Sequence, residues 1–489
     1  CCLACRPSRS AERGRNTMSL NGQHILILGL GESGLAMARW CARQGAQVRV
    51  ADTRASPPGL TQLQATLPQA EFISGPFDKN LLGGIDQLAI SPGLSAGQMV
   101  VFEARARGIR VVGEIELFAQ ALRGPGMHDR CKIIAITGTN GKTTTTALTA
   151  HLCRAAGRDA EACGNISPAA LDALMTRLDA GKLPEIWVLE LSSFQLETLE
   201  TLNADVATVL NISDDHLDRY IDLDEYASAK ARIFDGEGAQ ILNREDARVK
   251  RMARADRTLL SFGLDAPGMT QDFGLRQRDG EPWLVQGEHF LLPLSRLPMP
   301  GLHNATNAMA ALALCHALGL PMERLVQGLQ SFRGLPHRVE FVAETSGIRY
   351  YDDSKGTNVG ATVAGLSGLG GQMASRAAQA RIVLIAGGDG KGQDFSPLGA
   401  AVMAHARAVV LIGRDAPKIE AVLQGSGVPL KQAKDMDDAV RLATSAAQPG
   451  DAVLLSPACA SFDMYRNYTH RAEVFIAAVR SVKTLREGH

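Results

Sequence analysis

The stretch Gly138-Thr139-Asn140-Gly141-Lys142-Thr143-Thr144 lies between an apolar run, Cys131–Ile136, and a helix-forming segment, Thr143–Ala155. A buried strand, a glycine turn, Lys-Thr and a helix in that order let backbone N–H groups and a helix N-terminus face an anion while the lysine adds a charge. Thr143 stands where its hydroxyl can reach Mg²⁺. The spacing is shorter than in the standard phosphate loop, where four residues precede Gly-Lys. Here only Thr139 and Asn140 separate Gly138 from Gly141. The competing reading is an ordinary glycine turn capping a helix. Gly-Lys-Thr directly after a strand favours phosphate binding.

The 489 residues suggest about three domains. A βαβ opening runs from the strand His24–Leu28 through Gly29-Leu30-Gly31-Glu32-Ser33-Gly34 and a helix to Gln44, then into Val48–Ala51 and Asp52-Thr53-Arg54. The G-x-G-x-x-G turn with an acid ending the second strand is a Rossmann-like signature. Taken alone it suggests an NAD-dependent oxidoreductase, but the same turn serves other nucleotide-bearing ligands. A strand at Leu88–Ser91 ends in Pro92-Gly93, and Leu122–Gly126 reads as a linker.

Beyond the phosphate loop, Ile186–Leu189 ends in Glu190-Leu191-Ser192-Ser193, and Val206–Leu210 ends in Asn211-Ile212-Ser213-Asp214-Asp215-His216. Polar residues at strand C-termini are where α/β sheets place ligands. A helix carries Lys230, Trp283–Leu292 forms a hairpin, and Asn304–Leu318 is an alanine-rich helix. Near Arg333-Gly334-Leu335 the alternation restarts, with strands at Ile348–Tyr351, Ile382–Ile385, Ala408–Ile412 and Ala452–Leu455. Gly365–Ala380, rich in small and polar residues, is expected to be a loop tip. The expected fold is α/β in three domains: a Rossmann-like N-terminal domain (18–122), a P-loop central domain (123–334) and a Rossmann-like C-terminal domain (335–489).

Lys+Arg and Asp+Glu both number 51, so the formal net charge is zero. That balance points to neither nucleic acid nor an anionic membrane. No apolar run is long enough to span a bilayer. The nine cysteines are mostly scattered, as expected for reduced thiols in a cytoplasm. Cys1, Cys2 and Cys5 lack His or Cys partners at zinc-site spacing. Residues 1–17 carry Arg6, Arg9, Arg13 and Arg15 among Ser, Pro and Gly. They are expected to be a disordered extension, with folding starting near Met18.

Four motifs then carry a family: Gly138–Thr143, Glu190-Leu191-Ser192-Ser193-Phe194-Gln195, His303-Asn304-Ala305-Thr306-Asn307 and Pro336-His337-Arg338-Val339-Glu340. In this order, from about Met18 to the C-terminus, they resemble the Mur ligases, ATP-dependent amide-bond ligases of peptidoglycan precursor synthesis. Asp353-Ser354-Lys355-Gly356-Thr357-Asn358 and Ser456–Asp463 narrow the resemblance to the branch that adds D-glutamate to UDP-N-acetylmuramoyl-L-alanine. Gly356 stands where that family usually has Ala.

The resemblance implies that ATP phosphorylates the substrate carboxylate, that the D-glutamate amine attacks the acyl phosphate, and that a tetrahedral intermediate collapses to amide and phosphate. It places ATP on Gly138, Thr139, Asn140, Gly141, Lys142, Thr143, Thr144, Asn304, Asn307, Arg338 and Asp353. Lys142, Glu190, His216 and Lys230 would be catalytic. Two Mg²⁺ ions would sit on Thr143, Glu190, His216 and Lys230, the last as a carbamate that replaces a repelling ammonium by anionic oxygen. The UDP-sugar would lie on Gly29, Gly31, Ser33, Gly34, Asp52, Thr53, Arg54, Gly93 and Asn165. Lys355, Thr357, Lys391, Ser461 and Phe462 would hold D-glutamate, with Tyr468 walling the pocket. A cytoplasmic monomer that closes its domains around its substrates is the expected form. The rivals are a folate polyglutamating ligase, which lacks a full nucleotide-binding first domain, the NAD-dependent oxidoreductase, and a non-catalytic UDP-sugar binder.

Overall fold

The computed structural model describes residues 19–123, 131–215, 219–299, 301–374 and 379–487. The chain divides into two compact units. Of the described residues, one holds those up to Ile134 with Glu161–Ala204 and Phe234–Glu237; the other holds those of Ala135–Ala160, of Asp205–Ile233 and from Gly238 onward.

The first unit contains a five-stranded sheet in the order Glu71–Ser74, Gln47–Asp52, His24–Leu28, Gln87–Ile90, Arg110–Val112. Every pairing is parallel. The apolar run of His24–Leu28 is buried after its first residue, as a central parallel strand requires. It feeds the helix Glu32–Arg43 through the glycine turn. The same unit holds Ile186–Glu190, in which all five residues are buried, and the helix Ala170–Asp179.

In the second unit the strands His289–Pro293, Glu281–Gln286, Phe273–Arg278, Leu259–Phe262, Ala239–Asn243 and Val206–Val209 follow one another across a sheet. The hairpin expected at Trp283–Leu292 is the antiparallel pair Glu281–Gln286 and His289–Pro293. Lys142–Ala155 follows the phosphate loop and packs on Leu302–Ala317. That helix is buried on nearly every face, which its alanines permit without bulk.

A six-stranded sheet, also in this unit, runs Glu340–Thr345, Ile348–Asp352, Ala452–Leu455, Ile382–Ala386, Ala406–Leu411, Leu430–Gln432. Only its first pairing is antiparallel.

One expectation fails. Gly365–Ala380 is not a loop tip, because Val359–Ala374 is a helix; residues 375–378 lie outside the described residues. The glycines reflect close packing. A Cβ on Gly365 would stand 3.1 Å from Asp353 Oδ2, one on Gly368 2.9 Å from His303 Cε1, and one on Gly370 2.5 Å from His405 Nδ1.

Candidate active site

In the first unit the strand C-termini carry the expected nucleotide turn. Gly34 is a glycine by necessity, since a Cβ there would lie 1.9 Å from Gly29 O. Gly31 and Gly93 face open space, with nothing within 4 Å of an added Cβ. A ligand backbone can therefore approach closely. The buried Asp52 accepts the Leu30 N–H at 2.8 Å and both Arg54 Nε and Arg54 Nη2 at 2.8 Å. Burial works against its charge, but Arg54 and the backbone donors outweigh it and hold the carboxyl down at about 2. Asp52 thus ties Arg54 to the turn as a permanent anion–cation pair.

Glu32, in the turn, accepts Ser167 Oγ–H at 2.5 Å and the Ala169 N–H at 3.2 Å. Ser167 belongs to the loop that carries Asn165. Asn165 N donates to Glu190 O at 2.8 Å and Asn165 Nδ2 to Glu190 Oε1 at 2.7 Å. Asn165 therefore orients the Glu190 carboxylate. Glu190 Oε2 is buried and has no hydrogen-bond partner among the described residues. A buried carboxylate oxygen without a donor suits a cation. Nearby, Glu114 accepts the Leu171 N–H at 2.8 Å, while its Oε2 is likewise without a partner. Burial, together with the charges of Asp172 and Glu32, raises its pKa to about 7.

In the second unit the phosphate loop is pinned to the end of Val206–Val209. Asn140 N donates to Asn211 Oδ1 at 2.8 Å, Thr139 N to Asn211 O at 2.9 Å, and Ser213 N to Thr139 Oγ1 at 3.0 Å. Gly141 takes φ +83°, and an added Cβ would stand 2.4 Å from Asn307 Oδ1. Lys142 Nζ folds over the loop onto Gly138 O and Thr139 O, 2.7 Å from each. Lys230 is among the largest fully buried side chains; its Nζ donates to Gly138 O at 3.0 Å and lies 4.6 Å above the Tyr226 ring centroid.

Beside the loop opens a cavity of about 660 Å³. Asn140, Gly141, Thr144, Asn304, Asn307, Arg338 and Asp353 line it, so most of the expected ATP residues share one space. Asn307 Nδ2 donates to Asn304 Oδ1 at 3.3 Å, in keeping with their one-face spacing. Asp353 accepts Ser456 Oγ–H at 2.6 Å, and burial raises its pKa to about 7 although Ser456 and Arg338 oppose the rise. Burial next to Arg338 pulls His303 down to about 4, so it is neutral at physiological pH. Gly356 lies at the cavity edge, where a Cβ would come 2.8 Å from Asp353 Oδ2.

Three segments of the third sheet converge. Ala458 N donates to Gly356 O at 3.0 Å, and Asp389 and Ala460 exchange N–H bonds at 3.0 and 2.8 Å. These bonds bring the loop of Lys355 and Thr357, the turn of Lys391 and the Ser461 tail together. Lys355 Nζ stands 3.8 Å above the Tyr468 ring centroid. Burial would raise the Tyr468 phenol, but Lys355 outweighs it and lowers the pKa. Lys391 Nζ donates to Asp215 Oδ1 at 2.9 Å. Ser461 is buried, whereas Phe462 is 74% exposed.

His216 and residues 1–17 lie outside the described residues, as do Cys1, Cys2 and Cys5. The other six cysteines are free thiols. No described helix is long and apolar enough to cross a membrane. Sequence reasoning missed Asn211, Asn358 and Arg471. Asn211 and Asn358 stand inside the quoted motifs, the polar run after Val206–Leu210 and Asp353–Asn358, but drew no role there. Arg471 has no motif signal, apart from standing three residues after Tyr468 on one helix.

A glycine turn on a parallel sheet, a phosphate-type loop beside a cavity, and a third, mixed sheet whose loops carry Lys355 and Lys391 are the parts of a three-domain ATP-dependent ligase. The chain belongs to the Mur ligase family. Residues 23–113 match the Mur ligase MurD-like N-terminal domain, 136–315 the Mur ligase middle domain, and 337–459 the Mur ligase glutamate ligase domain. The UDP-N-acetylmuramoylalanine--D-glutamate ligase of Aromatoleum aromaticum is 60% identical over 471 residues, covering 96% of this chain and 99% of that protein. The ligase of the same name from Nitrosospira multiformis is 55% identical, covering 96% and 98%. The fold is also that of the UDP-N-acetylmuramate-alanine ligase of Thermotoga maritima, with a TM-score of 0.60 at 20% identity, covering 94% of this chain and 100% of that one.

Proposed function

We propose that this enzyme joins D-glutamate to UDP-N-acetylmuramoyl-L-alanine at the expense of ATP. The observation that carries the reading is the second unit's arrangement: the phosphate loop, the 660 Å³ cavity and the Lys355, Lys391 and Ser461 segments occupy one body. A carboxylate is a poor electrophile, and transfer of the γ-phosphoryl group to it creates a leaving group. The amine of D-glutamate then attacks the acyl carbon, and the tetrahedral adduct expels phosphate. The protein's task is to position the reactants and neutralise charge.

In this reading 18–122 bind the UDP-sugar, 123–334 the nucleotide and 335–489 the amino acid. Gly29, Gly31, Ser33 and Gly34 serve the diphosphate, Asp52, Thr53 and Arg54 the uracil end, and Gly93 and Asn165 the sugar side. Asn304 and Asn307 take the adenosine, Asp353 the ribose, and Lys142 and Arg338 the phosphates. Lys355 and Lys391 face the two carboxylates of D-glutamate, with hydroxyls from Thr357 and Ser461. Two Mg²⁺ ions would be held by Thr143, Glu190, His216 and a carbamate on Lys230, and would shield the phosphates from the incoming nucleophile. The orphaned Glu190 Oε2 supports such a donor set. The scattered cysteines, six of them free thiols among the described residues, are in keeping with a cytoplasmic enzyme.

The test is phosphate release from ATP with UDP-N-acetylmuramoyl-L-alanine and a panel of amino acids. D-glutamate alone should accelerate it strongly. A stimulus from L-glutamate with a folate acceptor, or none from D-glutamate, would overturn the proposal.

A further inference from the structure

Arg471 lies in the helix Tyr468–Glu487 and is 2% exposed. Its Nε donates to Ser354 Oγ at 3.0 Å, Nη2 to Ser354 O at 2.8 Å and Nη1 to Cys459 O at 3.1 Å. Ser354 Oγ in turn donates to Tyr468 O at 2.8 Å, closing the network onto the helix start. All the partners that these bonds name are neutral oxygens. Burial without a directly bonded carboxylate lowers the guanidinium to about 10, still a cation at neutral pH. Burying a charge is costly, and structures that do so use the group's geometry.

Ser354 precedes Lys355, and Cys459 stands two residues before Ser461. The fork of one guanidinium therefore fixes, from beneath, the two segments that present the amino-acid pocket. Tyr468, one turn earlier on the same helix, lies under Lys355 Nζ. We propose that Arg471 is a positioning residue for the incoming amino acid. It holds Lys355 and Ser461 in register, and its buried charge adds positive potential behind a dicarboxylate. The proposal rests on the ligase reading above and adds to it a determinant that acts after acyl phosphate formation.

That order supplies the test. Hydroxylamine traps an acyl phosphate as a hydroxamate with release of phosphate, and needs no amino acid. With saturating ATP and UDP-N-acetylmuramoyl-L-alanine, which offset any change passed through Ser354 to Asp353, R471K and R471M should retain hydroxamate formation while amide synthesis at low D-glutamate falls. Their KM for D-glutamate should rise, by roughly tenfold or more in R471M, as expected for losing charge-assisted hydrogen bonds. R471K, which keeps the charge but not the fork, should fall between, and it decides the matter if R471M does not fold. An unchanged KM in R471K, or hydroxamate formation that falls in step with amide synthesis, overturns the proposal. If the wild-type enzyme itself shows no D-glutamate-dependent turnover, the ligase reading fails instead.

Discussion

Asp215 Oδ1 accepts a hydrogen bond from Lys391 Nζ at 2.9 Å, joining residues 176 apart in sequence. Asp215 also accepts Asn358 Nδ2–H at 3.3 Å, and Asn358 Nδ2 donates to Asn140 Oδ1 at 3.0 Å. Asn140 of the phosphate loop, Asn358, the strand-end Asp215 and Lys391 thus form one polar chain. The ion pair is largely buried, with side chains 19% and 9% exposed. A double-mutant cycle of K391M and D215N in urea unfolding should therefore give a coupling of about 0.5–3 kcal/mol. Additive losses would show that the pair is solvated in solution.

Lys230 is buried against Gly138 O and the Tyr226 ring, so its replacement bears directly on the loop. K230A is expected to lose ATP turnover, with partial recovery on adding short carboxylates that supply the missing anionic oxygen. K142A is expected to lose turnover without such recovery. Both are read by ADP formation. A full rate in K230A would remove the carbamate from the mechanism.

Glu114 gives a pH signature in the first unit. Its folded pKa, about 7, exceeds its ordinary value of 4.5. The folded state therefore holds a proton that the unfolded chain has released between those values, and stability falls as pH rises through that window. Glu114→Gln can still accept the Leu171 N–H but carries no charge. Its Tm should match wild type near pH 5 and exceed it at pH 8. A gap that does not widen with pH would show that water or another group relieves the buried charge.

The long central strands were legible because their apolar runs are continuous and end in glycine or polar residues, as at His24–Leu28 and Ile186–Leu189. The candidate site residues were visible as contiguous motifs, and the fold gathers Asn304 and Asp353 at one cavity beside the loop of Lys142. Short edge strands such as Arg110–Val112 and Leu430–Gln432 bury too few residues to leave a pattern. The helix Val359–Ala374 was misread because its glycines answer to His303, Asp353 and His405, partners far off in sequence. Arg471 was hidden likewise, since its meaning lies in two carbonyls and a hydroxyl that only the fold brings to it.

Gly141 tests how closely the loop and the helix Leu302–Ala317 approach. G141A forces an L residue to φ +83° and sets its Cβ 2.4 Å from Asn307 Oδ1. Gly157 has φ +84° with nothing within 4 Å of a Cβ, so G157A carries the backbone strain alone, roughly 1–2 kcal/mol. G141A should cost more than G157A in urea unfolding and should weaken ATP binding in calorimetry. G157A should leave ATP affinity unchanged. Equal behaviour of the two would mean that Asn307 moves aside freely.

Asp353 should couple stability and nucleotide binding in opposite directions. Burial raises its carboxyl from 3.8 to about 7, so folding is favoured by the protonated form below that value and loses the contribution as pH climbs through it. Ribose hydroxyls donate best to the ionised form, so ATP affinity should rise over the same window. D353N removes the titration. The variant's Tm relative to wild type should increase from pH 5 to pH 8, while its ATP affinity relative to wild type falls. The nucleotide's own phosphates also titrate, but they do so equally for both proteins and cancel in the comparison. Parallel pH profiles for the two proteins in calorimetry would show that Asp353 does not hold the ribose through its charge.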